Sequence, residues 1–137
     1  MKNIAVHLAT GFEETEAITV IDILRRAQLN VTTVSITGDL KVTGAHNISV
    51  EADKLFENID YESIDMVILP GGMPGTTNLD NHKKKKKRVI EFDLDEKWIG
   101  AICAAPIIIG KLGLLEDKEA ICYPGFEDKL LNASTVS

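Results

Sequence analysis

Apolar positions fall along this chain in two alternating rhythms. Residues 2–8, KNIAVHL, form a short, nearly continuous apolar run of the kind that a strand buried on both faces requires. From Glu13 to Ala27 the rhythm changes, and Ala17, Val20, Ile21, Leu24 and Ala27 recur at helical spacing. NVTTVSI (30–36) is β-branched and partly alternating, which predicts a second strand. DLKVTGAHNISVEAD (39–53) carries two short strand-like pieces around Gly44, a small hairpin or excursion. SIDMVILPGG (63–72) predicts a third principal strand that ends in a Pro-Gly-Gly turn, and a polar helix follows over most of 81–93. KWIGAIC (97–103) predicts a fourth strand, APIIIGKLGLL a helix, and EAICYPG (119–125) a fifth strand with a short helical piece at 126–131. Strands alternating with helices imply an α/β fold, a mostly parallel sheet with helices on both faces. No internal repeat or interdomain linker interrupts the pattern, so 1–137 reads as one domain.

Charge narrows the function classes. The formal net charge is -6, which argues against a general nucleic-acid binder. The single basic run, Lys83 to Arg88, reads as the solvated face of the polar helix. No apolar run reaches membrane-spanning length, and the first residues turn acidic too early for a signal peptide. Two cysteines, 103 and 122, without a secretory signal imply reduced thiols and a cytoplasmic setting. Without a Cys-x-x-Cys or His-x-x-x-His pair, neither a structural zinc site nor any other metal or cofactor is expected.

Chemistry in an open parallel sheet gathers outside the carboxyl ends of the strands. Three turns share that edge: ATGFEETE, PGGMPG and CAAP. Cys103 stands where a strand gives way to a helix. A helix start nearby would favour its thiolate and lower its pKa, whereas the apolar flanks IGAI and IIIG suit an inert packed thiol. Ala104 and Ala105 let the turn tighten, and Pro106 needs no donor in a first helical turn. Glu13, Glu14 and Glu16 open the first helix, where carboxylates are expected for the dipole alone. Glu13 and Glu16 both project toward the Val20–Leu24 side, Glu13 nearer its centre, so spacing does not choose between them. A carboxyl kept protonated at that edge would donate to a thiolate or an oxyanion. Gly71 and Gly72 serve equally as turn punctuation or as bare amides for an oxyanion. His7 reads as a histidine of the core or its rim, and His82 as exposed beside the lysines. His46 would have to reach a site from the hairpin. Cys122 either shares the edge or packs.

GFEETEA, VILPGGMPG, GAICAAP and CYPGFEDKL, in this order and spacing, resemble the ThiJ/PfpI superfamily, in the branch of the parkinsonism-associated deglycase and its bacterial relatives. The resemblance runs from about Lys2 to Leu131. It implies a flavodoxin-like three-layer sandwich, usually a homodimer, that works without a cofactor. It also implies that Cys103 is the reactive cysteine on a strained elbow and Glu16 the protonated partner of its thiol. Gly71 and Gly72, with Ala104, would line the oxyanion side, and Tyr123 stands where some relatives carry a histidine. The activities implied are conversion of methylglyoxal-type dicarbonyls to hydroxy acids, deglycation of early adducts, or stress sensing through cysteine oxidation. Ala104 and Ala105 depart from the peptidase and amidotransferase cousins, which weakens those readings. Relatives continue past this point with a strand, a Gly-Pro-Gly turn and a last helix, which this chain is expected to lack. A plain binding domain with an inert thiol is the remaining alternative.

Overall fold

A computed structural model describes residues 1–136. Five strands form the parallel sheet: β1 (Asn3–Leu8), β2 (Asn30–Ser35), β5 (Lys54–Leu55), β6 (Met66–Leu69) and β7 (Trp98–Ala101), in the order β5-β2-β1-β6-β7. Register runs Ile4 to Val31 on one side of β1 and Ile4 to Met66 on the other, and Val67 faces Ile99. The central strands are buried throughout because both faces are covered, which is what their unbroken apolar runs encode.

Helix α1 (Glu14–Arg26) covers one face. Its Ala17 and Ile21 pack with Ile4, Val6, Leu8 and Phe12 in one buried cluster. Acidic residues in its first turn and Arg25 and Arg26 in its last complement the dipole. The other face carries α2 (Gly75–Asn81), α3 (Lys83–Leu94) and α4 (Pro106–Lys111), whose Leu79, Val89 and Ile108 cluster with Ala9 and Leu69. The hairpin β3 (Lys41–Thr43) and β4 (Ser49–Glu51) lies across the start of α1, where Thr43 O accepts from Gly11 N at 2.8 Å and Phe12 O from Ala45 N at 2.8 Å. No described helix is long and apolar enough to cross a membrane.

The α/β class, the helices on both faces and the hairpin stand as expected. The fifth strand does not. Only β8 (Glu119–Ala120) of EAICYPG is extended, and it pairs with β9 (Ser134–Thr135) in a separate ribbon, while β5 completes the sheet. The reason is burial: Ile121 and Tyr123 are exposed, and Gly125 at φ 95° turns the chain away. Helix α2, which the sequence pattern did not mark, forms because Leu79 and Thr76 are buried against the sheet side. The helix expected to run to Leu115 stops at Lys111.

Candidate active site

The site grows from the three βα turns. After β7 the chain passes through Ile102 to Cys103, whose φ of 62° puts a non-glycine residue in the left-handed region. Two main-chain bonds hold it there: Ala105 N donates to Ile102 O at 3.0 Å, and Tyr123 N donates to Cys103 O at 2.7 Å. The turn after β6 supplies Gly71, buried, and Gly72, at φ 95°. From α1 comes Glu16, whose Oε2 accepts from Gly71 N at 2.9 Å, while Gly71 O accepts from Glu13 N at 2.9 Å. Gly71 is small out of necessity. A methyl group there would stand 2.6 Å from Glu16 Oε2 and 2.7 Å from Cys103 Cβ.

The Glu16 carboxyl and the backbone amides of Ala104 and Gly72 lie close enough to the Cys103 thiol to shift it. A cavity of about 400 Å³ opens over it, lined by Glu16, Ile102, Cys103, Ile121, Cys122 and Tyr123. Cys103, Glu16, Gly71, Gly72, Ala104 and Tyr123, far apart in sequence, therefore meet at one edge. The lowered thiol pKa expected at a helix start is corrected. Burial pushes the Cys103 thiol up, the hydrogen bond and charge of Glu16 push it further, and the Ala104 and Gly72 amides oppose this without winning. The helix beyond is six residues long and starts only at Pro106, so its end is too weak and too distant to dominate.

Replacing Glu16 by glutamine removes two of the three influences that raise the thiol. The pH profile of Cys103 alkylation should therefore move to lower pH, measured as the iodoacetamide rate with Cys122 changed to alanine. A shift to higher pH would show that Glu16 acts mainly as a donor to the thiolate.

His46 is not in the cavity. Its Nδ1 lies 3.1 Å from Glu14 Oε1 and 3.6 Å from Glu13 Oε2 on the hairpin side of α1, with its side chain 67% exposed. Among the three glutamates, Glu14 is the buried one, not Glu13. Its oxygens accept from His46 N at 2.9 Å and Ile48 N at 3.2 Å, because the hairpin packs over a side of α1 that the apolar stripe does not mark. Glu13, Glu14 and His46 bring ligand atoms within 4.8 Å of one another, the one such grouping for a metal among the described residues. Glu14, however, is already engaged by backbone amides.

This clasp has a pH window. Burial acts to raise the Glu14 carboxyl, but its hydrogen bonds hold it below 4.5, so its contribution is present above pH 4.5 and lost as pH falls through the lowered value. The Glu14 hydrogen bond, then the Glu13 and Glu14 charges, raise His46 above 6.5, so its contribution is present below pH 6.5 and lost as pH rises through the raised value. Hydrogen exchange at the His46 and Ile48 amides should be slowest between pH 4.5 and 6.5, after correction for intrinsic rates. In the His46→Ala variant the upper limb of that dependence should vanish.

The remaining expectations divide. His7 is fully buried, with Nε2 2.7 Å from Tyr61 Oη, as a core histidine should be. His82 is half-buried and caps α3 instead of standing in solvent, because Phe56 meets its ring at 4.7 Å. Of the basic run, Lys83, Lys84 and Lys87 are exposed, but Lys85 is fully buried by helical periodicity. Cys122 is half-buried and packs against the α4 cluster while its residue borders the cavity. Sequence reasoning missed Ile102 and Ile121 as cavity walls. The signal available was the alternation of Ile121 with Tyr123.

Comparison with known proteins agrees with the fold. The DJ-1/PfpI family model matches residues 2–137. Protein DJ-1 homolog B of Arabidopsis thaliana is 40% identical over 135 residues, covering 98% of this chain and 31% of the relative. The chain thus spans about a third of that relative's length. The deglycase PH1704 of Pyrococcus horikoshii is 31% identical over 93 residues, 67% of this chain and 55% of that protein. Among solved structures, the C103A mutant of the DJ-1 superfamily protein STM1931 from Salmonella typhimurium superposes with a TM-score of 0.93 at 33% identity, over 99% of this chain and 74% of that one.

Proposed function

The chain belongs to the DJ-1/PfpI family, and from that premise we propose that it is a cofactor-independent, cysteine-dependent enzyme acting on small dicarbonyls or their early adducts. The observation that carries this reading is the convergence on the Cys103 thiol of one carboxyl, Glu16, and two bare amides, Gly72 and Ala104. A raised thiol needs a base at the moment of attack, and the bonded carboxylate supplies it.

With methylglyoxal, Cys103 Sγ bonds to the aldehyde carbon as the thiol proton passes to Glu16. The Gly72 and Ala104 amides hold the developing oxyanion. Glu16 then returns its proton to that oxygen, giving a hemithioacetal. Next it takes the proton from the former aldehyde carbon and delivers it to the neighbouring carbon, while the hemithioacetal hydroxyl proton passes to the neighbouring oxygen, which leaves a thioester of the hydroxy acid. Water cleaves the thioester, releasing lactate and restoring the thiol. The sum is methylglyoxal plus water to lactate, with no external oxidant or reductant.

The test is lactate formation from methylglyoxal without glutathione, followed enzymatically. No lactate above the uncatalysed rate would end the proposal. A second reading, sensing by oxidation, draws support from the same amides, which would hold the oxygens of a sulfinate at Cys103. Mild peroxide should then add two oxygens to Cys103 and none to Cys122. Peptidase chemistry draws no support, since no residue lining the cavity is a histidine.

A further inference from the structure

A second cleft lies on the same edge of the sheet, across β1 from Cys103. It encloses about 320 Å³ between the chain leaving β1 and β2 and the junction of α2 with α3, and Thr10, Thr37, Asn78, Asn81 and His82 line it. Its polar groups are neutral, and none of its lining residues carries a carboxylate. His82 Nδ1 accepts from Lys85 N at 3.0 Å, so the proton of the neutral ring sits on Nε2, which makes that nitrogen a donor. Burial, then the Lys85 charge, hold His82 below its ordinary value, and neutral is its state at pH 7.

Behind His82 lies Lys85, with no exposed surface and no hydrogen-bond partner for Nζ among the described residues. Its charge is felt by His82 and by the buried His7. Of the nearby carboxylates, Glu57 acts on His82 against the lysine charge, and Asp80 is already paired with Lys86 at 3.0 Å and Lys111 at 2.9 Å. Lys85, Lys86 and Lys111 thus share Asp80, and the one that is buried is the one without a partner. An unpaired buried cation is costly, and burial lowers Lys85 to about 8, which still leaves its ammonium charged at pH 7 and open to an approaching anion. The N-terminus of α3, twelve residues long and beginning at Lys83, adds to the same positive field.

We propose that this cleft binds a small oxyanion, a carboxylate or a phosphate, through the donors of Thr10, Asn81 and His82 in the field of the buried Lys85 ammonium. The site is separate from the Cys103 cavity, with which it shares no lining residue. Its occupancy is independent of the chemistry proposed there.

The test is a nuclear magnetic resonance titration of the whole chain with sodium phosphate and, separately, sodium acetate, against sodium chloride at matched ionic strength. Saturable shifts of the Thr10, Thr37, Asn81 and His82 amides with either oxyanion, and not with chloride, are expected. Lys85→Met, of similar length and apolar, should weaken binding at least tenfold. Asn81→Asp changes an exposed residue that no core packing depends on, and it places a negative charge at the mouth. It should weaken binding similarly even if Lys85→Met fails to fold. Shifts reproduced by chloride, or an Asn81→Asp variant that binds as the parent does, would overturn the assignment.

Discussion

Replacing Cys103 by serine should reduce lactate formation from methylglyoxal by roughly a thousandfold or more in kcat/KM, on the scale at which nucleophiles acting as one unit with their base are lost. The substitution is conservative in shape. Serine is slightly smaller than cysteine, and the two main-chain bonds that hold the turn, Ala105 N to Ile102 O and Tyr123 N to Cys103 O, do not involve the side chain. The fold and the Glu16–Gly71 bond should therefore persist, and the loss should fall on kcat. A hydroxyl is a far weaker acid than a thiol, and Glu16 cannot strip it effectively. A variant retaining a tenth of the parent rate, with its melting behaviour unchanged, would remove Cys103 from the reaction.

The second large effect is on stability. Gly72→Ala should cost about 3–5 kcal/mol, combining the penalty of a side chain at positive φ with overpacking against atoms that cannot yield. Gly72 sits at φ 95°, and a methyl group there would press directly on the Glu13 amide nitrogen and stand 2.9 Å from Gly11 O. These are main-chain atoms of the turn that starts α1, so relief requires moving the helix. Gly71→Ala makes an informative contrast, because two of its three nearest obstacles are the side chains of Glu16 and Cys103. It should spare more stability while disabling the thiol. Urea midpoints for both variants, with alkylation rates of Cys103, check the pair. A Gly72→Ala midpoint corresponding to less than about 1 kcal/mol of loss would mean the turn is pliable, against the penalty expected for such a position.

The central parallel strands were legible because double burial leaves a plain trace, the apolar runs around Val6 and Ile68, whereas the two-residue edge strand β5 left none. Cys103, Glu16 and the glycine pair were legible as motifs in a given order, and the structure brings them together. The direction of the thiol shift was not, since it depends on a carboxyl 87 residues away in the chain. Glu14 was missed for a similar reason. A helical wheel sees the face toward the sheet, whereas the group that buries Glu14 is a hairpin 32 residues further on. EAICYPG misled through composition: β-branched and aromatic residues suit a strand, but nothing covers Ile121 and Tyr123 on the outer side. Lys85 was lost in a run of identical residues, where only the three-dimensional placement of α3 separates one lysine from its neighbours.

Gly71 links two jobs in one peptide neighbourhood: its carbonyl anchors the entry to α1 and its amide steers the carboxyl of Glu16. The direction in which that acid points is thus dictated by main chain and not by the walls of the cavity. Ile102, Ile121 and Tyr123, all exposed, can be exchanged without turning it. Descendants of such a protein are free to change which molecules they admit while inheriting the placement of Glu16 beside Cys103 intact.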